Sequence, residues 1–514
     1  MTQPIPPKEE LLADAAPEMR RAIISGVRWT LWLTLLSAPF SFGTSIILAR
    51  VSPEVIGTFG LLQIYIAGVA GFLFLGGNAV LVRFIPNLAE GKRVSFFGSY
   101  FAVNCLALIP WLIAVTLWPQ GLRFIFGAGH TGTFWVVLVY LTPIYVIYSS
   151  SIAALKGMLD LKWAEGFDRI LTVGSFAVYI GLFFAGRRFL TRHYSGVIWG
   201  VYLSLVAVVA FLALRRFLRL NRGYAWQRLQ FHLPPGFWRY TLSLQGSSVL
   251  SFFCGKLDYL LLLYFGGLAL LGKYVALMTL CLPIQKVVQF FLDSLLSSLT
   301  NGLARGNLKS CEQITDICMR IVVPASLLMA GLIIFFAHPI ILLLGPKYFG
   351  LDRALWIMAP FVIVEAVGLI PANILNAAGR PEFNALARAL RIGLFLVLFF
   401  PLWHRYQLVG VVLTWGFAEI LCHGVALAAV VAKAPFRFHY WKTYWPSALL
   451  LVGLPLLMMQ LHAAASIYLQ FCFLLALVYA YLLLAGYTLK EVRTLSRFVL
   501  PDAVRVTLPR PRKS

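Results

Sequence analysis

Gly57-Thr58-Phe59-Gly60-Leu61 follows an apolar run that ends at Arg50, and Gly272-Lys273-Tyr274-Val275-Ala276 follows another that ends at Phe265. Further along, Leu88-Ala89-Glu90-Gly91 is answered by Leu303-Ala304-Arg305-Gly306. Both pairs share an offset of 215, from 57 to 272 and from 91 to 306. Each word alone is short, but the common offset at matching hydropathy boundaries marks an internal repeat. Thr142-Pro143 then answers Ala359-Pro360, and the turn at Gly157 answers that at Gly379. Two similar helical bundles side by side in a bilayer, with a site between them, is a recurrent plan of transporters.

Composition places the repeat in a membrane. Hydrophobic residues make up 60% of the chain and charged residues 12%, against roughly 25% charged in a soluble domain. Mean hydropathy is +0.84. About fourteen apolar segments reach the roughly 20 residues that a spanning helix needs. Their cores are 26–49, 59–82, 97–118, 133–154, 170–186, 195–214, 241–264, 269–299, 321–344, 354–376, 389–403, 408–431, 444–460 and 466–487. Backbone groups in lipid must be satisfied within the segment, so these runs are helices. They are too continuous for the alternating strands of a barrel. The longer ones are expected to tilt or to kink at Pro283 or Pro339. The polar start of the chain shows no cleavable signal, so the first helix is expected to remain as an anchor.

The net charge of +24 does not indicate a nucleic-acid partner. Lys and Arg cluster in the short gaps between apolar runs, the pattern that sets membrane topology. With the N-terminus in the cytoplasm, about 32 basic residues fall inside and about 9 outside, Arg187, Arg188 and Arg192 being the main dissent. Both termini are then cytoplasmic. The expected organisation is a six-helix bundle over 1–214, a basic cytoplasmic linker over 215–240, a second six-helix bundle over 241–433, and two further spans with a basic tail over 434–514. An even number of helices per half gives both halves one orientation, hence a pseudo-twofold axis along the membrane normal. External gaps are too short to fold into a domain.

Ionisable groups within a bilayer cost roughly 2.5–3.5 kcal/mol each at a helix centre, and persist where they face a partner or a wet cavity. Here they are Lys256 and Asp258 on the seventh segment, Lys286 and Asp293 on the eighth, Glu365 on the tenth and Glu419 on the twelfth. Lys286 and Asp293, seven residues apart, share a helical face; a cavity is the favoured surrounding. Lys256 and Asp258, two apart, point to different sides and need partners from elsewhere unless the helix breaks at Gly255. A salt bridge within the bundle and a cavity-facing role stay open for them. Glu365 and Glu419 read as solitary carboxylates, either protonated core groups or ion-coupling groups. Arg28, Arg50 and Arg83 lie near the ends of the first two helices, where snorkelling is the default; Arg28 and Arg83 at the cytoplasmic end could also meet an anionic headgroup, while Arg50 lies at the outer end. Gln63, Asn78 and Gln245 read as interhelical hydrogen-bond partners. His423 reads as lone, either a core group or an acyl-transfer base. Cys311 and Cys318 read as sharing a loop, with no CxxC pair and no histidine to make a metal site. No metal or cofactor is expected. No GxxxxGK[ST], GxSxG or HExxH occurs, which excludes a P-loop pump and the corresponding hydrolases.

The stretch from Ile47 to Leu61, Gly76-Gly77-Asn78 with the following Ala79 to Pro86, Lys256-Leu257-Asp258-Tyr259, Leu271-Gly272-Lys273-Tyr274 and Ala377-Ala378-Gly379-Arg380-Pro381 resemble the corresponding stretches of bacterial polysaccharide transporters. These belong to the multidrug/oligosaccharidyl-lipid/polysaccharide (MOP) exporter superfamily. The resemblance implies an all-α polytopic membrane protein of twelve to fourteen helices. It implies a flippase for an undecaprenyl-diphosphate-linked oligosaccharide at the bacterial inner membrane, serving O-antigen, capsule or exopolysaccharide assembly. Asp258 and Arg50 match positions of the family pattern. The lysines at mid-membrane, where lipid II flippases carry arginines, count against lipid II as cargo. The candidate cationic lumen is Lys256, Lys286, Arg28, Arg50 and Arg83, with Asp258, Asp293, Glu365 and Glu419 coupling an ion or balancing charge. Expected partners are the lipid-linked substrate, membrane lipids, and a polymerase or other assembly proteins. An ion-coupled drug or metabolite exporter of the same fold is the alternative; a membrane glycosyltransferase or polymerase is disfavoured for want of an extramembrane loop.

Overall fold

A computed structural model describes residues 17–117, 131–158, 160–186, 192–221, 230–304 and 307–436. The protein is an all-α polytopic membrane protein. Its helices are α1 (Pro17–Val51), α2 (Pro53–Gly68), α3 (Gly77–Phe84), α4 (Glu90–Leu117), α5 (Thr131–Gly157), α6 (Leu161–Ala185), α7 (Tyr194–Leu220), α8 (Phe237–Ala304), α9 (Leu308–Phe335), α10 (Ala337–Leu344), α11 (Asp352–Ala377) and α12 (Pro381–Lys433). Ten of the first twelve apolar segments each fall on one helix or one arm of a helix; the second runs over α2 and α3 and the ninth over α9 and α10. The last two, 444–460 and 466–487, lie outside the described residues, as do 222–229 of the expected linker.

α8 and α12 are far longer than one crossing, and each folds back once. The reversals are at Gly267 (φ 72°) and Gln407 (φ 47°). Across the first, the Tyr274 hydroxyl donates to Asp258, sixteen residues earlier. Across the second, a Cβ built on Gly410 would lie 2.5 Å from the Leu402 carbonyl carbon; in a straight helix those residues stand about 12 Å apart. The helix runs unbroken through Gly255. The ninth segment does bend: α9 stops at Phe335 and α10 restarts before Pro339, whose ring cannot continue the regular ladder. Cys311 and Cys318, expected in a loop, instead lie buried on α9. The apolar residues around them carry the helix further toward its N-terminus than hydropathy alone suggested.

The chain forms two compact units, Met1–Thr279 with Leu343–Lys347, and Leu280–Leu342 with Tyr348–Ser514. In the first, α1 packs on α6, and α5 packs on α3 and α7. Its core holds Phe96, Tyr100, Ile152, Val209, Phe217 and Phe237. In the second, α11 packs against α9 and the α12 hairpin.

The two repeated words meet inside the first unit. α2 starts abruptly because Ser52 caps it, accepting from the Val55 amide at 3.3 Å, and Pro53 supplies the first turn. That start abuts the reversal in α8. A Cβ on Gly57 would lie 3.1 Å from the Leu268 carbonyl carbon; one on Gly272 would lie 2.7 Å from the Pro53 carbonyl carbon and 2.9 Å from the Gly57 nitrogen. One on Gly60 would lie 2.5 Å from Val275 Cγ2. The offset of 215 relates 53 to 268, 57 to 272 and 60 to 275. Swapping every residue for its repeat-mate therefore turns the first contact into the second and leaves the third unchanged. This is a local two-fold contact, and glycine is required there because backbone meets backbone.

Candidate functional site

A buried polar cluster lies in the second unit, where α11, α12 and the end of α8 meet. Glu365 on α11 accepts from Gln285 Nε2 on α8. On the α12 hairpin, Arg391 forms an ion pair with Glu419 Oε1, and His423 Nε2 lies 3.2 Å from Glu419 Oε2. The Glu419 side chain is 1% exposed and that of Arg391 14%. A buried carboxylate survives only if paired, and here one oxygen faces a guanidinium and the other an imidazole. The His423 ring lies directly over Gly368 of α11, where any side chain would displace it. His423 Nδ1 has no hydrogen-bond partner among the described residues.

Glu365, Glu419 and His423 are thus not solitary, as expected from the sequence, but members of one cluster. His423 stands one turn after Glu419, a spacing legible in the sequence. Arg391 was missed because it comes from the other arm of the hairpin, beyond the reversal at Gln407.

In the first unit, Lys256 is half-buried, with its ammonium 4.1 Å from the centre of the Tyr259 ring one turn on. No carboxylate lies within ion-pair distance of it among the described residues. Asp258, buried, takes the Tyr274 hydroxyl. The two form no ion pair, but the Asp258 carboxylate is near enough to act on the ammonium. Arg83 is exposed, its guanidinium 4.0 Å over the Tyr240 ring. Arg50 donates from Nε to the Leu343 carbonyl at 2.7 Å, tying the 343–347 segment to the end of α1. Arg28, Lys286, Asp293 and Asn78 lie on described helices, but their side chains are outside the described residues. A further polar group on α5 and α6 had no reading in the sequence: Tyr148 donates to Asp168 Oδ1 at 2.6 Å, beside Tyr145. Asp168 lies just ahead of the apolar core 170–186, among Lys162, Glu165 and Arg169, so hydropathy gave no sign of it.

No protein-family profile matches the sequence. An uncharacterized membrane protein of Methanocaldococcus jannaschii is 22% identical over 433 residues, covering 77% of this chain and 82% of that protein. Among solved structures, the lipid II flippase MurJ in an inward closed conformation superposes with a TM-score of 0.67 at 14% identity, covering 91% of this chain and 99% of its own. An inward-facing multidrug resistance MATE transporter of the MOP superfamily superposes at 0.62 with 15% identity, covering 79% and 98%. A MOP superfamily transporter from Pyrococcus furiosus gives 0.56 at 16% identity, over 80% and 96%. The chain has the MOP transporter fold.

The Gly57 and Gly272 words of the repeat are the entries to α2 and to the second arm of α8. The buried polar groups described above sit on helices of both units.

Proposed function

We propose that this protein is a flippase. It carries a polyprenyl-diphosphate-linked oligosaccharide across the bacterial inner membrane by alternating access, for assembly of O-antigen, capsule or exopolysaccharide. The physical problem is to pass a diphosphate and a sugar chain through about 30 Å of hydrocarbon while the lipid tail stays in the bilayer. A cation held inside a spanning helix solves the costliest part. Lys256 is the observation that carries this reading: its ammonium is held within a spanning helix on the face of the Tyr259 ring, forming no ion pair among the described residues although Asp258 is near enough to act on it, and such a cation attracts an anion. Lys286, Arg28, Arg50 and Arg83 complete the cationic path in this reading. Asp258, Asp293, Glu365 and Glu419 balance charge or couple an ion. The seam between Pro53–Gly60 and Leu268–Val275 is closed in this structure and parts in the alternate state. The termini are cytoplasmic, and a polymerase and other assembly proteins receive the product. The chain is a carrier and not an enzyme.

One observation favours a second reading, an ion-coupled exporter of drugs or metabolites: the paired acids Glu365 and Glu419 beside Arg391 and His423. Reconstitution separates the two. Proteoliposomes carrying the protein are loaded with fluorescent polyprenyl-diphosphate glycans, and headgroup translocation is followed by quenching. Translocation that K256A abolishes and K256R retains supports the flippase. Wild-type vesicles that leave the glycan in place but exchange organic cations for protons support the exporter.

A further inference from the structure

The second spanning segment is broken in mid-course, and the break is bound by side chains from two other helices. After α2 the chain makes one π-helical turn, Val69–Leu73, and then passes through Gly76 (φ 68°) and Gly77 (φ 61°) before α3 begins. Two consecutive left-handed residues end any helix. Inside a bilayer the freed backbone groups need partners. Here the Leu75 amide donates to Asn104 Oδ1 at 2.8 Å, and the Tyr100 hydroxyl lies 2.8 Å from the Leu75 carbonyl and 3.0 Å from that of Gly77. Both are residues of α4. The third partner is Gln245 of α8, which closes a clasp across the break. Its Nε2 donates to the Gly71 carbonyl at 2.7 Å, and its Oε1 accepts from the Gly76 amide at 2.9 Å.

The clasp sits on a close-packed face. A Cβ on Gly71 would lie 3.2 Å from Phe252 Cβ and 3.4 Å from the Ser248 carbonyl; one on Gly76 would lie 3.2 Å from the Thr241 Cα. Thr241, Gln245, Ser248 and Phe252 fall at one-turn and two-turn spacings along α8, so one stripe of α8 follows the break from end to end. Tyr100 and Asn104 come from the same repeat as the broken helix. Gln245 stands on a helix that the sequence repeat assigns to the other half. Any slide of α8 along α2 must pull both ends of the Gln245 amide away and strand two backbone groups.

We propose that this break is a hinge and that Gln245 is its clasp, a positioning residue. It holds α3 against α2 while α8 lies alongside, and lets α3 swing when α8 moves. The proposal rests on the transport reading for the purpose of that swing, but the clasp itself is tested without substrate.

The test is hydrogen–deuterium exchange of the full chain in lipid nanodiscs, comparing wild type, Q245L and Q245E. Q245L removes both bonds and should speed exchange at amides 71–77 roughly tenfold or more, with other helices unchanged. Q245E keeps the acceptor for the Gly76 amide and loses the donor to Gly71, so its effect should be smaller and confined to the same amides. Unchanged exchange at 71–77 in Q245L overturns the clasp. A rise spread over the whole chain overturns it as well, since that marks a general packing bond. If Q245L does not accumulate, the graded local response of Q245E decides. Wild-type vesicles that move no lipid-linked glycan would remove the transport reading separately and leave the exchange comparison standing.

Discussion

Replacing Gly272 by alanine tests the seam where the two repeats meet. The new Cβ would lie 2.7 Å from the Pro53 carbonyl carbon and 2.9 Å from the Gly57 nitrogen. Both are backbone atoms at the capped start of α2, so no side chain can swing aside. Overpacking of this kind costs about 1–3 kcal/mol, and a backbone partner places it at the upper end. If the seam exists in only one state of the transport cycle, about 3 kcal/mol against that state shifts the populations about 100-fold toward the other. Val275, 1% exposed behind the seam, reports the shift. In a V275C background, labelling by a membrane-impermeant maleimide should accelerate in G272A until the open state dominates. Labelling that stays at the G272 rate, with a lowered melting temperature, would mean that the seam is a permanent packing contact. An unchanged melting temperature as well would mean that the close approach itself is wrong.

Three further outcomes follow from particular contacts. At the two-fold point, G60A sets a methyl against Val275 Cγ2 and should destabilise by about 1–2 kcal/mol; G60A/V275A moves that volume across the axis and should recover most of it in a thermal melt. R391M leaves the buried Glu419 carboxylate without its guanidinium, at a cost of about 3–5 kcal/mol, whereas R391M/E419M should melt near wild type; a double variant as weak as the single one would show that the pair does not stabilise through charge. Finally, E365Q keeps the shape and the Gln285 contact but cannot exchange a proton, so any response of translocation to an imposed pH gradient should vanish, and a response of wild-type size would take Glu365 out of the coupling role.

Much of the fold was legible because the bilayer imposes long-range rules on local sequence. Hydrocarbon thickness sets the run length, and backbone desolvation dictates helix. The reversals at Gly267 and Gln407 were visible as gaps between apolar runs, and the equal offset of the Gly57 and Gly272 words marked two stretches that meet about a local two-fold. The candidate site was legible only in its members. An acid in an apolar run is conspicuous, so Glu365, Glu419 and Asp258 were named. Their partners were not, because Arg391 reaches Glu419 from across a hairpin and Tyr274 reaches Asp258 from across another.

The amino-acid sequence by itself determined that this is a membrane-embedded bundle of helices with an internal repeat, since hydropathy and spacing act within one segment at a time. Only the tertiary structure decided that Gly57 and Gly272 touch each other's repeat, that Gln245 bridges the break in the second span, and that two acids, an arginine and a histidine share one buried site. Pairing depends on which helices lie side by side, and that is set by packing between distant segments, which no local pattern encodes.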